Sequence, residues 1–163
     1  MHKITGRGLL LAVTAVAIFL AGAIPAGSVE SPSDKSCRPT PEDALGPFYK
    51  PEAPYRAAVG KGYVVEGTVR SAKDCSVIPG ATIEFWLAGP EGEYDDAYRA
   101  RVKAGPDGAF RFESDRPPPY WQRPPHIHIR VTAPGYHTLV TQHYPKSRSK
   151  EALFDLVLLP EQE

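Results

Sequence analysis

An excess of charge of either sign is missing from this sequence: 19 Lys and Arg face 19 Asp and Glu. A balanced chain leaves no basic footprint for nucleic acid. Long helical patterns are scarce, while 18 prolines and 14 glycines punctuate the 163 residues. That composition argues against a helical architecture and for many short strands joined by turns. The length suffices for one hydrophobic core and falls short of two. No segment repeats another. Cysteine is nearly absent: Cys37 and Cys75 are the only two, enough for one disulfide.

Long apolar runs are also rare. The one from Leu9 to Leu20 follows the positive residues Lys3 and Arg7 and precedes the small residues Ala21-Gly22-Ala23-Ile24-Pro25-Ala26. Residues 1–26 therefore read as a signal peptide, cleaved after Ala23 or Ala26. The competing reading is an uncleaved N-terminal anchor, because the run and its flanks approach the ~18 residues of a membrane span. No cysteine in this segment is present to accept a lipid. An exported chain, periplasmic or extracellular, meets an oxidising environment, where Cys37 and Cys75 are expected to pair. Residues 27–39 read as a flexible leader rich in Ser, Pro and charge, and residues 40–163 as the folded domain.

What is there centres on Arg123-Pro124-Pro125-His126-Ile127-His128-Ile129. Side chains two apart on a strand point the same way. His126 and His128 then face one side, Ile127 and Ile129 the other. Two imidazoles aimed at one point make half of a metal site. The same pair also fits two tolerated polar residues on a strand, so its company matters. Tyr120 stands six residues before His126, and Trp86 is followed eight residues later by Tyr94. Two tyrosines and two histidines are an unusual set. A phenol of pKa ~10 ionises near neutral pH only beside a strong positive charge. Phenolate oxygen is a hard donor and suits Fe(III) better than Zn(II) or Cu(I).

These motifs, in this order, resemble the intradiol ring-cleavage dioxygenases. The likeness rests on Trp86-x7-Tyr94, on Tyr120 after Pro117-Pro118-Pro119, on Arg123-Pro124-Pro125-His126-Ile127-His128, and on Thr141-Gln142-His143-Tyr144. Upstream, Thr40-Pro41 and Gly46-Pro47-Phe48-Tyr49 add to it. Only five residues separate Tyr120 from His126, a compact spacing similar to the small secreted branch of the family. No helical N-terminal segment like the catechol-type dimerisation module is present.

The resemblance implies Fe(III) held by Tyr94, Tyr120, His126 and His128. It implies that a catechol-type substrate chelates the metal and is cleaved by O2 between its two hydroxylated carbons, giving a muconate-type diacid. It places Gly46, Pro47 and Phe48 at the mouth of the substrate pocket. Arg123 is set to stabilise negative charge building on the ring, the alternative being a structural ion pair. Gln142 is set to steer the intermediate by hydrogen bonding, the alternative being packing. Tyr98 is the rival to Tyr94, but it adjoins the alternating run Arg99-Ala100-Arg101-Val102 and fits packing better. A carboxylated ring would need a cation near the pocket, for which Lys50, Arg56 and Arg99 are the candidates. A homo-oligomer stays open.

The remaining pattern is all-β. Strands are expected at Tyr63–Val69, Ala81–Leu87, Arg99–Val102, Ala109–Glu113, from His126 to Thr132, at His137–Tyr144 and at Leu153–Leu159, with turns at Pro79-Gly80, Gly105-Pro106-Asp107-Gly108 and Pro134-Gly135. That makes an antiparallel β-sandwich of about seven to eight strands. Pro41, Pro47, Pro51 and Pro54 forbid a central strand or helix, so 40–55 should run as an extended arm over a sheet. His137 and His143 are expected at a strand end and on the surface. Two other functions fit part of the pattern: a transthyretin-like binding module without catalysis, and a periplasmic carrier binding copper or zinc through His126 and His128.

Overall fold

Strands form where the β-branched and aromatic runs sit. In this computed structural model the described residues are 38–162, with His2. Cys37 and the expected signal segment apart from His2 lie outside them. The fold belongs to the unit Pro32–Glu163. The strands are β1 (Tyr63–Ser71), β2 (Thr82–Leu87), β3 (Arg99–Lys103), β4 (Ala109–Ser114), β5 (Ile127–Thr132), β6 (Leu139–His143), β7 (Glu151–Leu153) and β8 (Leu156–Leu158). Among the described residues the one helical turn is a 3-10 segment, Asp96–Tyr98.

Two four-stranded sheets make a β-sandwich. One has the order β4-β1-β7, with β8 also paired to β1; the other has the order β3-β2-β5-β6. The second sheet is antiparallel throughout, and β1 pairs antiparallel with β4. Strands β7 and β8 instead run parallel to β1, so the first sheet is mixed. The single closing strand expected over Leu153–Leu159 is thus broken in two. Phe154 and Asp155 form the break: Phe154 N–H donates to Glu66 O, and Thr68 N–H donates to Asp155 Oδ1. Gly67 permits it, because a Cβ there would lie 2.3 Å from the Phe154 carbonyl oxygen.

Period-two alternation places the core between the sheets. On β5, Ile127, Ile129 and Val131 point inward and are fully buried. Phe85 of β2 stacks on Phe112 of β4 across the sandwich, with ring centroids 4.2 Å apart. The outer face of the second sheet is not left to solvent. Residues 40–58 cross it as the extended arm: Thr40 N bonds to Val157 O of β8 in the first sheet, and the arm then meets the two edge strands of the second, Asp43 N bonding to Val140 O of β6 and Arg101 N of β3 to Pro54 O. The proline-rich stretch therefore does what its missing N–H groups allow: it covers a sheet face without joining a ladder.

Candidate metal centre

The β2–β5–β6 register sets Trp86 opposite His128, and His128 opposite Gln142, on the outer face under the arm. Trp86 lies flat against the His128 ring, centroids 5.0 Å apart and planes within 7°. His126 stands just before β5. Its Nδ1 lies 2.8 Å from the Pro124 carbonyl. A carbonyl only accepts, so Nδ1 carries the proton and Nε2 keeps a free lone pair. Both rings are about 2% exposed. Burial lowers the pKa of His126 and brings that of His128 down to about 4, with His126 and Arg123 adding to the effect on His128. Both imidazoles are therefore neutral and able to act as donors at physiological pH.

Tyr94 reaches this pair from the loop after β2. Its hydroxyl oxygen lies 3.0 Å from His126 Nε2 and 3.3 Å from His128 Nε2. One phenolic proton serves only one of two nitrogens. Burial pushes the Tyr94 pKa up to about 12, so ionisation needs an added positive charge. The Tyr120 ring meets Tyr94 edge-on at 5.2 Å. It is held in a two-residue turn in which Tyr120 and Arg123 exchange both backbone hydrogen bonds. The structure thus brings together Tyr94, Tyr120, His126 and His128. Tyr98 is elsewhere: its ring packs against Gly89 and the core.

The donor set fits a hard metal ion. Adjacent ligands on bonds of about 2.1 Å stand about 3.0 Å apart at right angles, close to the observed 3.0 and 3.3 Å. Among the described residues no group of three or more His, Cys, Asp or Glu converges; the third hard or borderline donor atom beside the two imidazoles is the Tyr94 hydroxyl oxygen.

The arm supplies the rest of the wall. Gly46 has φ 75, and a Cβ there would sit 2.9 Å from His128 Cε1. Phe48 stacks on Tyr94 at 4.3 Å and meets Tyr120 edge-on at 5.6 Å. Pro47, Phe48, Tyr49 and Trp86 border a cavity of about 110 Å³ beside Tyr94. Lys50 and Arg99 line it too, but both bind Asp96. Arg56 donates to backbone carbonyls of residues 96, 97 and 99.

Arg123 makes no ion pair with a carboxylate among the described residues. Its Nη2 donates to Gln142 Oε1 at 2.7 Å and to the Tyr144 hydroxyl at 3.0 Å, and its Nη1 stands 3.5 Å from His126 Nε2. Gln142 is buried and its Nε2 donates to Ala44 O at 2.6 Å. Two neighbours of this group were given no role from sequence, although Tyr144 ends the Thr141-Gln142-His143-Tyr144 motif. Tyr144 lies two residues after Gln142, so the strand period could have placed it on the same face. Asp43, whose Oδ2 accepts from Tyr144 at 2.8 Å, gives no such signal.

His143 corrects the surface placement. It is buried, on the inward face of β6, and its Nε2 lies 2.8 Å from the Tyr63 hydroxyl. Alternation explains it: Thr141 and His143 share one face, Gln142 and Tyr144 the other.

No protein-family model matches the chain. It is 34% identical over 134 residues to a chlorocatechol 1,2-dioxygenase of Cupriavidus pinatubonensis, covering 61% of this chain and 52% of that one. An intradiol ring-cleavage dioxygenase, prcA, of Aspergillus niger is 27% identical over 143 residues, 66% of this chain and 45% of that one. The chain thus spans about half the length of these curated relatives. The dioxygenase domain of a dioxygenase carbohydrate-binding protein fusion from Streptomyces sp. SirexAA-E superposes with a TM-score of 0.67 at 30% identity. That match covers 76% of this chain and 99% of that domain.

Proposed function

The chain belongs to the intradiol ring-cleavage dioxygenase family, and from that premise we propose that it opens a catechol ring between the two hydroxylated carbons with O2, giving a muconate-type diacid. The observation that carries this reading is the convergence of Tyr94 Oη on both His126 Nε2 and His128 Nε2, with Tyr120 alongside.

We infer that these four residues hold Fe(III), which supplies Lewis acidity toward the catechol oxygens and the means to use O2. The chain's own residues do the remaining work. The Pro124 carbonyl fixes the His126 tautomer so that Nε2 faces the site. Tyr94 and Tyr120 would provide the hard oxygen donors. The Arg123 guanidinium stands beside His126, where it stabilises negative charge building on the ring. Gln142, anchored to Ala44, holds that guanidinium at 2.7 Å. Gly46 and Phe48 close the arm over the donors and exclude water. We further infer that the chain is exported, with residues 1–26 as signal peptide, and that Cys37 pairs with Cys75.

Iron content and the visible spectrum of the purified protein test the reading. Phenolate-to-Fe(III) charge transfer should colour it red to burgundy, and anaerobic catechol should change that colour. His126→Ala or His128→Ala should abolish or severely weaken iron binding. Tyr94→Phe and Tyr120→Phe should bleach or shift the band while the protein stays folded, and Tyr98→Phe should leave it unchanged. Loss of colour in Tyr98→Phe but not in Tyr94→Phe overturns the assignment of that ligand. An iron-loaded protein that is colourless fails the dioxygenase reading and leaves a binding module. A protein that binds copper or zinc with neither tyrosine mattering would be a metal carrier.

A further inference from the structure

We propose that Asp43 and Tyr144 are positioning residues for Arg123: the arm carboxylate aims the guanidinium through the Tyr144 hydroxyl. This rests on the dioxygenase reading above for its kinetic consequence and on geometry for the rest.

Tyr144 has one proton and two acceptors within reach, Asp43 Oδ2 at 2.8 Å and Gln142 Oε1 at 3.2 Å. A bond to a carboxylate is shorter and stronger than one to a neutral amide, so the proton goes to Asp43. The lone pairs of the hydroxyl are then left for Arg123 Nη2, 3.0 Å away. The direction of the chain is fixed: Arg123 donates to Tyr144, and Tyr144 donates to Asp43. The other oxygen of Asp43 accepts from Ala44 N–H at 2.6 Å, which ties the carboxylate to its own backbone. Ala44 also anchors Gln142, the second acceptor of Nη2. Two consecutive arm residues therefore fix both acceptors of one guanidinium nitrogen.

The relay has a chemical advantage over a direct ion pair. A carboxylate touching Arg123 would neutralise much of its charge and compete with anionic character on the substrate. A hydroxyl between them orients the guanidinium and keeps the carboxylate one side chain away. Without Tyr144 Oη, Nη2 keeps only Gln142. The Nη1 end, 3.5 Å from His126 Nε2, then has latitude to swing. Asp43 is exposed and Tyr144 is 40% exposed, so neither is a packing element whose removal unfolds the sandwich.

The test uses the full-length iron-loaded enzyme. Tyr144→Phe keeps the ring and deletes the oxygen; kcat should fall about 10-fold, since misplaced catalytic groups cost one to two orders of magnitude. KM for catechol, iron content and the charge-transfer band should hold. Asp43→Asn should lose less, because an amide oxygen still accepts. In an Arg123→Ala background neither change should lower kcat further, the non-additivity of residues acting through one group. Losses that remain additive in that background overturn the proposal. A readout without turnover comes from the full-length protein loaded with Ga(III), a diamagnetic trivalent ion. Nitrogen-15 spectra should resolve the Nη groups of Arg123 in the wild type and average them in Tyr144→Phe. Resolved signals in both proteins overturn the positioning role. A wild type that binds iron yet does not turn over catechol fails the dioxygenase reading instead, and the guanidinium spectra still decide the geometry.

Discussion

Trp121 occupies the first central position of the turn between Tyr120 and Arg123, with φ 54 and 91% of its surface exposed. A bulky side chain in the left-handed region costs about 1–2 kcal/mol. Glycine relieves that and gives back about 0.5–1 kcal/mol through its freer unfolded chain. Almost no buried surface is lost with the indole. Trp121→Gly is therefore expected to raise stability by about 0.5–1 kcal/mol, read as a higher urea midpoint at unchanged m. Trp121→Ala keeps the strained φ and should not stabilise. A Gly variant no more stable than the Ala variant would show that the turn carries no strain. Gly46 is the converse case. There the missing side chain makes room for His128, as well as allowing φ 75. Sequence alone offered Gly46 only as part of a motif, because what demands it is a ring 82 positions away in the chain.

At the scale of elements, alternation made the core faces of β2 and β5 readable, and with them the shared outward face of Trp86 and His128. The same rule, applied to β6, would have turned His143 inward. What no local pattern contained is that its partner would be Tyr63 of β1, from the opposite sheet. Burial, with Arg116 lying over the Tyr63 ring, lowers the His143 pKa to about 4, and burial raises that of Tyr63. The neutral ring shares a hydrogen bond with the Tyr63 hydroxyl through Nε2. The unfolded chain takes up a proton on this histidine near 6.5 and the native state does so only near 4. Between those values the unfolded state binds more protons, so this term is fully favourable above pH 6.5 and is lost as pH falls toward 4. The slope is at most about 1.4 kcal/mol per pH unit, less where the ring edge meets solvent. His143→Gln keeps a hydrogen-bonding group for Tyr63 and removes the titration. Urea midpoints at several pH values should therefore fall less steeply below pH 6.5 in the variant. Equal slopes would mean that His143 titrates normally in the native state.

For the whole molecule, the ligand candidates were legible because they cluster in sequence on one strand and its approaches, Tyr120 to His128, with only Tyr94 brought in from another loop. The β7–β8 break and the Asp43–Tyr144–Arg123 chain were not legible, since each depends on contacts between segments some 80 to 100 residues apart in sequence. The arm joins these levels: Asp43, Ala44, Gly46 and Phe48 each touch the site, and Cys37 lies directly upstream. Cys75 sits in the turn after β1, where its N–H donates to Ser71 O and its carbonyl accepts from Arg70. A bridge between Cys37 and Cys75 would tether the start of the arm to the turn that follows the central strand of the first sheet. Closing a loop of this length stabilises a domain by roughly 2–4 kcal/mol, mainly by restricting the unfolded chain. The intact mass of protein recovered after export should therefore lack residues 1–23 or 1–26 and be two hydrogens lighter than the reduced chain. Thiol titration of the unfolded, unreduced protein should find none. Reduction should lower stability by the stated amount, and limited proteolysis should then cut first within residues 38–55, because the arm has lost its upstream tether while the two sheets keep their core. Two titratable thiols would remove the bridge. A mass that still contains residues 1–26 would make the N-terminal segment an anchor and place the site at a membrane surface.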